Sequence, residues 1–200
     1  MHLEKNSFYE LCRDKGIALS LLFLMMTGAS FWLLTGDLVG ISHLDTVSGA
    51  EGILDTRFGY TEAEAEQHFQ DLGAPGREHV LRAIIPLDIL FAVSYTAAMI
   101  FITSSMLFIR RPKDQGYPSR IRFVLALPLS AGIADLAENI IQGMILLEYP
   151  GYPPGLVSLL TVLTPTKFVL FGAAAAGMLA EITAALLRPS PHAKVNNQKR

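Results

Sequence analysis

The sequence predicts an all-α integral membrane protein: a four-helix bundle with a small, acidic and partly helical extracytoplasmic loop. Three observations predict this fold class. Of the 200 residues, 51% are hydrophobic and only 17% are charged. The charges are clustered, which leaves four long apolar runs, and a helix of roughly 20 apolar residues crosses about 30 Å of hydrocarbon. Lysine and arginine also lie mostly on one side of these runs.

The four apolar runs define the predicted spans of a single membrane domain. The first run is longer than the apolar region of a usual signal peptide, and no small-residue cleavage site follows it, so we expect it to be retained as an anchor. The predicted spans are residues 17–35, 80–109, 121–147 and 156–187, the outer loop is 36–79, and the basic cytoplasmic tail is 188–200.

The basic residues predict the orientation. Of the 16 Lys and Arg residues, only Arg57, Arg77 and Arg82 lie in or beside the 36–79 loop, and Lys167 lies inside a span. The others lie in the N-terminal tail, in the 110–122 segment and in the C-terminal tail. Because cytoplasmic segments carry the excess of Lys and Arg, we expect a multi-pass protein of the inner (plasma) membrane with both termini cytoplasmic.

The outer loop contains one clear helix signal. Thr61 and Glu64 have the spacing of a capping box, which predicts a helix from about Glu62 to Leu72. The sequence Gly73-Ala74-Pro75-Gly76 is expected to break this helix before the second span. The spacing of His43, His68 and His79 fits no metal-ligand pattern, so we predict a solvated polar surface there and no metal site.

Bulk properties limit the function further. A net charge of −2 gives no support for nucleic-acid binding. The single cysteine, Cys12, excludes a disulfide framework, a CxxC pair and a cysteine-based metal site within one chain. No motif identifies a cofactor.

Four ionisable side chains stand out deep inside the predicted spans: Asp88, Asp135, Glu138 and Lys167. A charge at this depth is costly and almost always faces the bundle interior or a water-filled cavity. At a helical rise of about 1.5 Å per residue, the four groups lie roughly 12–18 Å below the outer ends of their spans. We therefore expect them to form one polar layer in the outer half of the membrane.

Further polar residues share helix faces with these groups, as the helical period requires. The predicted polar stripes are Ser20 and Thr27 on span one, Asp88 and Tyr95 on span two, Asp135, Glu138, Asn139 and Gln142 on span three, and Thr161, Thr164 and Lys167 on span four. The pattern predicts a bundle around a polar centre. Three carboxylates facing one ammonium would give a net charge of −2 there, so protonation, a bound cation, a ligand or water must compensate.

Two interpretations of this layer remain open. One is a hydrogen-bonded network that fixes helix pairing; the other is a functional site, because intramembrane ionisable residues are functional candidates. A similar choice concerns the small-residue pairs Gly172–Ala176 and Ala173–Gly177. They favour close helix packing within the chain, with contact to another protein as the alternative.

Five short strings, taken in order, resemble a group of uncharacterised small bacterial four-helix integral membrane proteins. They are GYT (59–61), LGAPGR (72–77), LDILFAVSY (87–95), ADLAEN (134–139) and TPTK (164–167). They match a G-Y-T, L-G-x-x-G-R, L-D-x-x-F-x-x-x-Y, D-x-x-E-N and T-x-x-K pattern over roughly residues 57 to 170. The resemblance implies no activity. It marks Asp88, Tyr95, Asp135, Glu138, Asn139, Thr164 and Lys167.

Three functions fit the sequence, in decreasing order of support. The first is a non-catalytic subunit or binding module of a larger membrane complex, with the bilayer, other membrane subunits and a lipid or lipophilic ligand as partners. The second is an intramembrane enzyme acting on a lipid or lipid-linked substrate, with Glu138 as acid or base and Lys167 as an electrostatic clamp. The third is a proton or cation carrier that works as an oligomer and depends on Asp135.

Overall fold

The computed structural model describes residues 7–109 and 121–187, and all regular structure in this part of the chain is helical. The helices are α1 (Ser7–Thr35), α2 (Ile41–Val47), α3 (Glu62–Asp71), α4 (Gly73–His79), α5 (Ile85–Phe108), α6 (Ile121–Glu148) and α7 (Leu156–Leu187). A 3₁₀ turn at Leu54–Thr56 and a π-helical turn at Val80–Ile84 complete the list. Most of the basic 110–122 segment and the whole 188–200 tail lie outside the described residues.

Four helices are long and apolar enough to cross a membrane: Glu10–Thr35, Gly73–Phe108, Val124–Glu148 and Leu156–Leu187. Helix α5 occupies the central position among them. Helix α1 packs along α5, whereas α6 and α7 pack against each other and against α5. Helices α1 and α7 therefore both flank α5 with little direct contact between them.

Glycines allow two of these close approaches. A Cβ atom at Gly16 of α1 would lie 2.3 Å from the Ser105 Oγ of α5. A Cβ atom at Gly132 of α6 would lie 2.2 Å from the Thr96 Oγ1 of the same central helix. A side chain at either position would force Ser105 or Thr96 to move or the helices to separate, because real Cβ atoms essentially never come that close to another heavy atom.

The second long helix begins earlier than the sequence predicts. Gly73 adopts a φ of +59° and separates α3 from α4, so the predicted break is present. The chain nevertheless resumes a helix at Gly73 and continues without interruption to Phe108. Residues 73–79, which the sequence assigns to the outer loop, are therefore helical and continuous with the second long helix, because proline is well tolerated in the first turn of a helix and Pro75 occupies that turn of α4.

A π-helical turn joins α4 to α5 directly before the polar residues of α5. Pro86 has no amide hydrogen, so the carbonyl of Arg82 loses its usual donor four residues later. The helix widens just before this point, where the amide of Ile85 donates to the carbonyl of Val80. Such wider turns are often found at functional sites, and this one ends about one helical turn before Asp88.

The outer loop folds over one end of the four long helices, which we call the loop end; the opposite end, where α1 begins and α7 ends, we call the termini end. The predicted capping box is present: the Thr61 side chain accepts from the Glu64 amide at 3.2 Å, and Glu64 accepts from the Thr61 amide at 2.7 Å. An apolar cluster holds the loop in place, and its fully buried members include Leu44, Ile53, Leu54, Phe69, Leu72, Ile84, Ile145 and Leu160.

Candidate ligand-binding site at the loop end

The Lys167 ammonium group is the centre of a buried ionic cluster. Its Nζ lies 2.7 Å from Glu138 Oε2 and 3.2 Å from Asp135 Oδ1, and it also pairs with Asp55 Oδ1. Lys167 is only 7% exposed. Helix α7 supplies the lysine, α6 supplies Asp135 and Glu138, and the outer loop supplies Asp55.

Helix α5 joins this cluster through two hydrogen bonds to α6. The Tyr95 hydroxyl donates to Asp135 Oδ2 at 3.0 Å, and the Asn139 amide donates to Asp88 Oδ2 at 2.6 Å. Asn139 also donates to the carbonyl of Asp135 at 3.2 Å, which holds its side chain in position. Charge-assisted hydrogen bonds of this kind are the strong ones, so they fix the register of α5 against α6.

Threonine and tyrosine hydroxyls connect the cluster to the outer loop. Thr164 Oγ1 lies within hydrogen-bond reach of Glu138 Oε1, of the Tyr60 hydroxyl at 2.9 Å and of the Leu160 carbonyl at 3.0 Å. Burial raises the pKa of Tyr60 to about 12, so its hydroxyl keeps its proton at neutral pH. Tyr60 thereby attaches the segment before α3 to α7.

Asp55 is the cluster member that sequence reasoning missed. It lies outside the apolar runs, so the cost of burying charge in a membrane does not single it out. The structure places it there because Ile53 and Leu54 are buried in the loop-end core, and the following 3₁₀ turn directs the next residue towards Lys167. The available signal was this apolar pair in an otherwise polar loop. Tyr60 was marked only as part of the GYT string.

A cavity of about 280 Å³ lies beside the ionic cluster, between α1 and α7 and over the central helix. Its lining combines two chemical types. Carboxylates and the lysine come from Asp55, Asp88, Asp135 and Lys167, while the remaining lining residues are mainly apolar or aromatic: Phe31, Leu34, Thr35, Ile41, Thr56, Phe91, Tyr95, Phe168 and Phe171. An apolar pocket with a few convergent polar groups is typical of small-molecule sites.

Three carboxylates converge on this cavity. Asp55, Asp88 and Asp135 each place one oxygen so that the three atoms lie within 4.8 Å of one another. Together with Glu138 they oppose a single ammonium, so the cluster carries a net charge of −3 when all its members are ionised. The sequence predicted −2 because it lacked Asp55. Among the residues that the structure describes, Asp88 takes part in no ion pair.

The structure brings most of the predicted polar residues together and leaves some apart. Asp88, Tyr95, Asp135, Glu138, Asn139, Thr164 and Lys167 all join the network described above. Gln142 is also buried, one turn nearer the loop end on α6. Thr161 instead donates to the Ser158 carbonyl of its own helix.

The expectation that Ser20 and Thr27 of span one join the polar centre is wrong. Ser20 Oγ donates to the Gly16 carbonyl at 2.7 Å, and Thr27 Oγ1 donates to the Phe23 carbonyl at 2.7 Å. A hydroxyl in a helix readily bonds the carbonyl four residues earlier, so these side chains need no partner from another helix. Helix α1 lines the cavity with Phe31, Leu34 and Thr35 instead.

Two other expectations concern the histidines and the small residues. His43 and His79 are partly exposed, with ring centroids 5.0 Å apart, but His68 is buried next to Phe69, so the prediction of a solvated surface is wrong for His68. On α7, a Cβ atom at Gly177 would approach Leu127 of α6 at 3.9 Å, as expected for packing within the chain. A Cβ atom at Gly172 would meet nothing within 4 Å, so that part of the small-residue pattern faces away from the other described helices.

Sequence reasoning also overlooked Glu181. This carboxylate lies in the last two turns of α7 and is only 7% exposed. It belongs to the termini end and is remote in sequence from the cluster around Lys167.

Comparison of the chain with protein-family models, with curated proteins and with solved structures finds no match.

Proposed function

We propose that this chain is a four-pass integral membrane protein that acts as a non-catalytic binding module, with its ligand pocket at the loop end. The observation that carries the proposal is the cavity of about 280 Å³, which joins an aromatic wall to a carboxylate-lined floor. The ligand is a lipid or another lipophilic small molecule, because most of the lining is apolar. The chain positions this molecule and performs no chemistry on it.

The helix arrangement supports access to the pocket from the bilayer. Helices α1 and α7 both flank α5 without packing closely on each other, and the cavity lies between them. A lipophilic molecule in the surrounding lipid would enter through this gap. The outer loop covers the end of the cavity through Ile41, Asp55 and Thr56.

The proposed location is the inner membrane of a bacterium, with both termini in the cytoplasm and the loop end outside. The excess of Lys and Arg in the tails and in the 110–122 segment supports this orientation. Green fluorescent protein fused after Arg200 is expected to fluoresce, and alkaline phosphatase fused at the same point is expected to be inactive. An active phosphatase fusion would contradict the orientation.

The module is also proposed to work within a larger membrane complex. The exposed surface at Gly172 and Ala173 of α7 supports a contact with another helix, because small residues permit close approach. Purification through an affinity tag in a mild detergent is expected to recover further membrane subunits. Recovery of the chain as a lone protomer would contradict this part of the proposal.

The enzyme hypothesis receives less support from the geometry. Glu138, its candidate acid or base, is absent from the cavity lining and is held between Thr164 and Lys167. The Lys167 ammonium is engaged by three carboxylates and so is poorly placed to clamp a substrate anion. The carrier hypothesis gains no specific observation.

Native mass spectrometry of the purified protein tests the pocket directly. We expect a lipophilic molecule to co-purify with the wild type and to be lost from Thr35→Trp, because the new indole ring would fill the cavity. Thr35 lines the cavity and its hydroxyl bonds the carbonyl four residues earlier in α1.

Thr166→Trp is the matched control. Thr166 makes the same type of backbone bond in α7 and is exposed, but it does not line the cavity. The control is expected to retain the molecule. Equal retention in both variants would contradict a pocket at this position, as would a protein that never carries a small molecule.

A further inference from the structure

We propose that the ligand of the loop-end pocket is an alkylammonium cation, that is, a protonated or quaternary amine with apolar substituents. This inference rests on the proposed binding function and specifies the chemistry of the ligand. It depends on three observations: the charge of the cavity floor, the size of the cavity and the rings in its wall.

The charge of the floor favours a cation. Asp55, Asp88 and Asp135 line the cavity, and Lys167 is the single basic residue among the lining residues. That lysine is already shared with Glu138 behind the cavity. Asp88 lines the cavity, accepts from the neutral amide of Asn139, and takes part in no ion pair among the described residues, so Lys167 neutralises it less directly than it does Asp55 and Asp135. A positive ligand would lower the electrostatic cost of the cluster, and an anionic ligand would raise it.

The size of the cavity argues against a bare metal ion. One water molecule takes a share of about 30 Å³ in the liquid, and the cavity volume of about 280 Å³ is far larger than an ion needs. Hard cations such as Ca²⁺ and Mg²⁺ take oxygen ligands, water included, and make no use of an aromatic and aliphatic wall. Most of the lining is carbon, so an organic cation fills the cavity better than a metal ion and makes apolar contacts with its walls.

The wall contains a continuous series of aromatic rings that links three helices. Phe31 of α1 lies 5.9 Å from Phe91 of α5, Phe91 lies 5.3 Å from Tyr95, and Tyr95 lies 5.2 Å from Phe171 of α7, measured between ring centroids. All four residues line the cavity. Aromatic faces attract ammonium groups and form the recognition cages of quaternary amines.

The wall already makes one contact of this type. The Lys167 Nζ lies 5.5 Å from the ring centroid of Phe168, which also lines the cavity. The same surroundings that accept the lysine ammonium therefore suit a second ammonium beside it. The apolar substituents of the ligand would extend between α1 and α7, where Leu34 and Phe171 provide apolar contacts.

Calorimetric titration of the full chain in maltoside micelles, which contain no amine, tests the charge. The probe is 3-phenylpropyl-trimethylammonium, and its comparison compounds are the neutral carbon analogue (4,4-dimethylpentyl)benzene and the anion 4-phenylbutyrate. We expect the cation to bind at least 10-fold more tightly than the neutral analogue and the anion not to bind. Equal binding of cation and neutral analogue would overturn the charge assignment and leave the pocket in place.

Two variants connect the result to the site. Asp88→Asn is expected to lower the affinity for the cation at least 10-fold. Glu66→Gln, which removes an exposed carboxylate of α3, is expected to leave this affinity unchanged. Phe91→Leu keeps the carboxylates and removes one ring. It is expected to lower the affinity for the cation more than the affinity for the neutral analogue. It provides the decisive result if Asp88→Asn does not fold. Unchanged cation binding in a folded Asp88→Asn, or in Phe91→Leu in that case, would overturn the inference.

Failure of the underlying binding function would look different. If none of the three compounds binds and Thr35→Trp releases nothing on purification, the pocket itself is not a binding site. If the cation does bind, a competition experiment identifies whether the natural ligand is a free amine or a membrane amine. If tetramethylammonium displaces the bound probe at the same concentration as dodecyltrimethylammonium, the ligand is a small soluble amine. If only dodecyltrimethylammonium displaces the probe, the ligand is a long-chain amine of the membrane.

Discussion

The two ends of the protein bury polar side chains in different ways. At the loop end, ionisable groups from α5, α6, α7 and the outer loop contact one another around Lys167. At the termini end, the buried polar residues are mostly hydroxyls. Ser20 and Ser105 each donate to the carbonyl four residues earlier in their own helix, both at 2.7 Å.

This difference follows from what each side chain needs. A hydroxyl satisfies itself on its own backbone, so its burial says little about neighbouring helices. A carboxylate or an ammonium has no such local solution, and its burial requires an opposite charge or strong donors from elsewhere. The loop end therefore fixes helix register and offers a charged site, whereas the termini end depends mainly on close packing such as that at Gly16.

The largest expected effect concerns the centre of the charged cluster. Lys167→Met removes the single cation opposite four carboxylates, and loss of one partner from a buried ionic network costs on the order of 3–5 kcal/mol. We expect a large fall in stability by equilibrium unfolding in detergent. Lys167→Arg keeps the positive charge, so it is expected to lose much less stability than Lys167→Met. Equal stability of the wild type and the methionine variant would remove the distinction between the two ends.

A smaller effect is expected for the hydrogen bond between α5 and α6. Asn139→Leu removes the amide that donates to Asp88 at 2.6 Å, and leaving a buried carboxylate without this donor costs about 1.5–3 kcal/mol. The same unfolding measurement applies. Ile140→Ala is the control, because the neighbouring side chain is 61% exposed and its loss is expected to change stability little. Similar losses in the two variants would be evidence against a specific role for the bond.

Acidic pH is expected to weaken the loop end selectively. Burial lowers the pKa of His68 from 6.5 to about 4. Above pH 6.5 the histidine is neutral in both states, but between 6.5 and about 4 only the unfolded state binds the proton. Stability of the outer loop should therefore fall by roughly 1–3 kcal/mol as pH falls through this window.

Hydrogen–deuterium exchange at pH 7.5 and pH 5, corrected for the intrinsic exchange rates, measures this change. Amides of α3 are expected to lose protection at pH 5, while amides of α1 near Ser20 keep theirs. His68→Phe is expected to reduce the pH dependence of α3. Protection of α3 that does not change with pH would show that His68 contributes nothing to it.

The smallest effect is expected at the termini end. Ser105→Ala removes a hydroxyl whose described hydrogen bond goes to its own helix, so the expected change is within about 0.5 kcal/mol. The thermal unfolding midpoint in detergent measures it. A loss comparable with that of Asn139→Leu would mean that hydroxyls at this end also hold helices together, and the contrast between the two ends would fail.

Much of the all-helical fold is readable from the sequence because long apolar runs and the Thr61–Glu64 capping box are local signals. The start of the second long helix was misplaced, because the sequence signals a break at Gly73 but does not reveal that a new helix begins at the same residue. Ser20 was wrongly assigned to the polar centre. The helical period shows which face of a helix a residue lies on, but it does not show whether a hydroxyl bonds another helix or its own backbone.

The ionisable residues of the site were foreseen because burying charge among apolar residues has few solutions. Asp55 was not, because its position depends on how Ile53 and Leu54 pack in the loop-end core. That packing is a tertiary property with no periodic signature in the sequence. The cavity between α1 and α7 was equally unforeseeable, since it depends on which long helices do not pack closely on each other.

Photo-crosslinking in native membranes tests the central claim, that the loop end is a ligand site, most directly. The probe is a long-chain alkylammonium that carries a diazirine next to its nitrogen, and adducts are mapped by peptide mass spectrometry. We expect adducts to concentrate on the cavity-lining parts of three helices, around Phe31, Phe91 and Phe171, and to disappear in Thr35→Trp. Adducts spread evenly over the exposed apolar faces of the four long helices, and unchanged by Thr35→Trp, would contradict the claim.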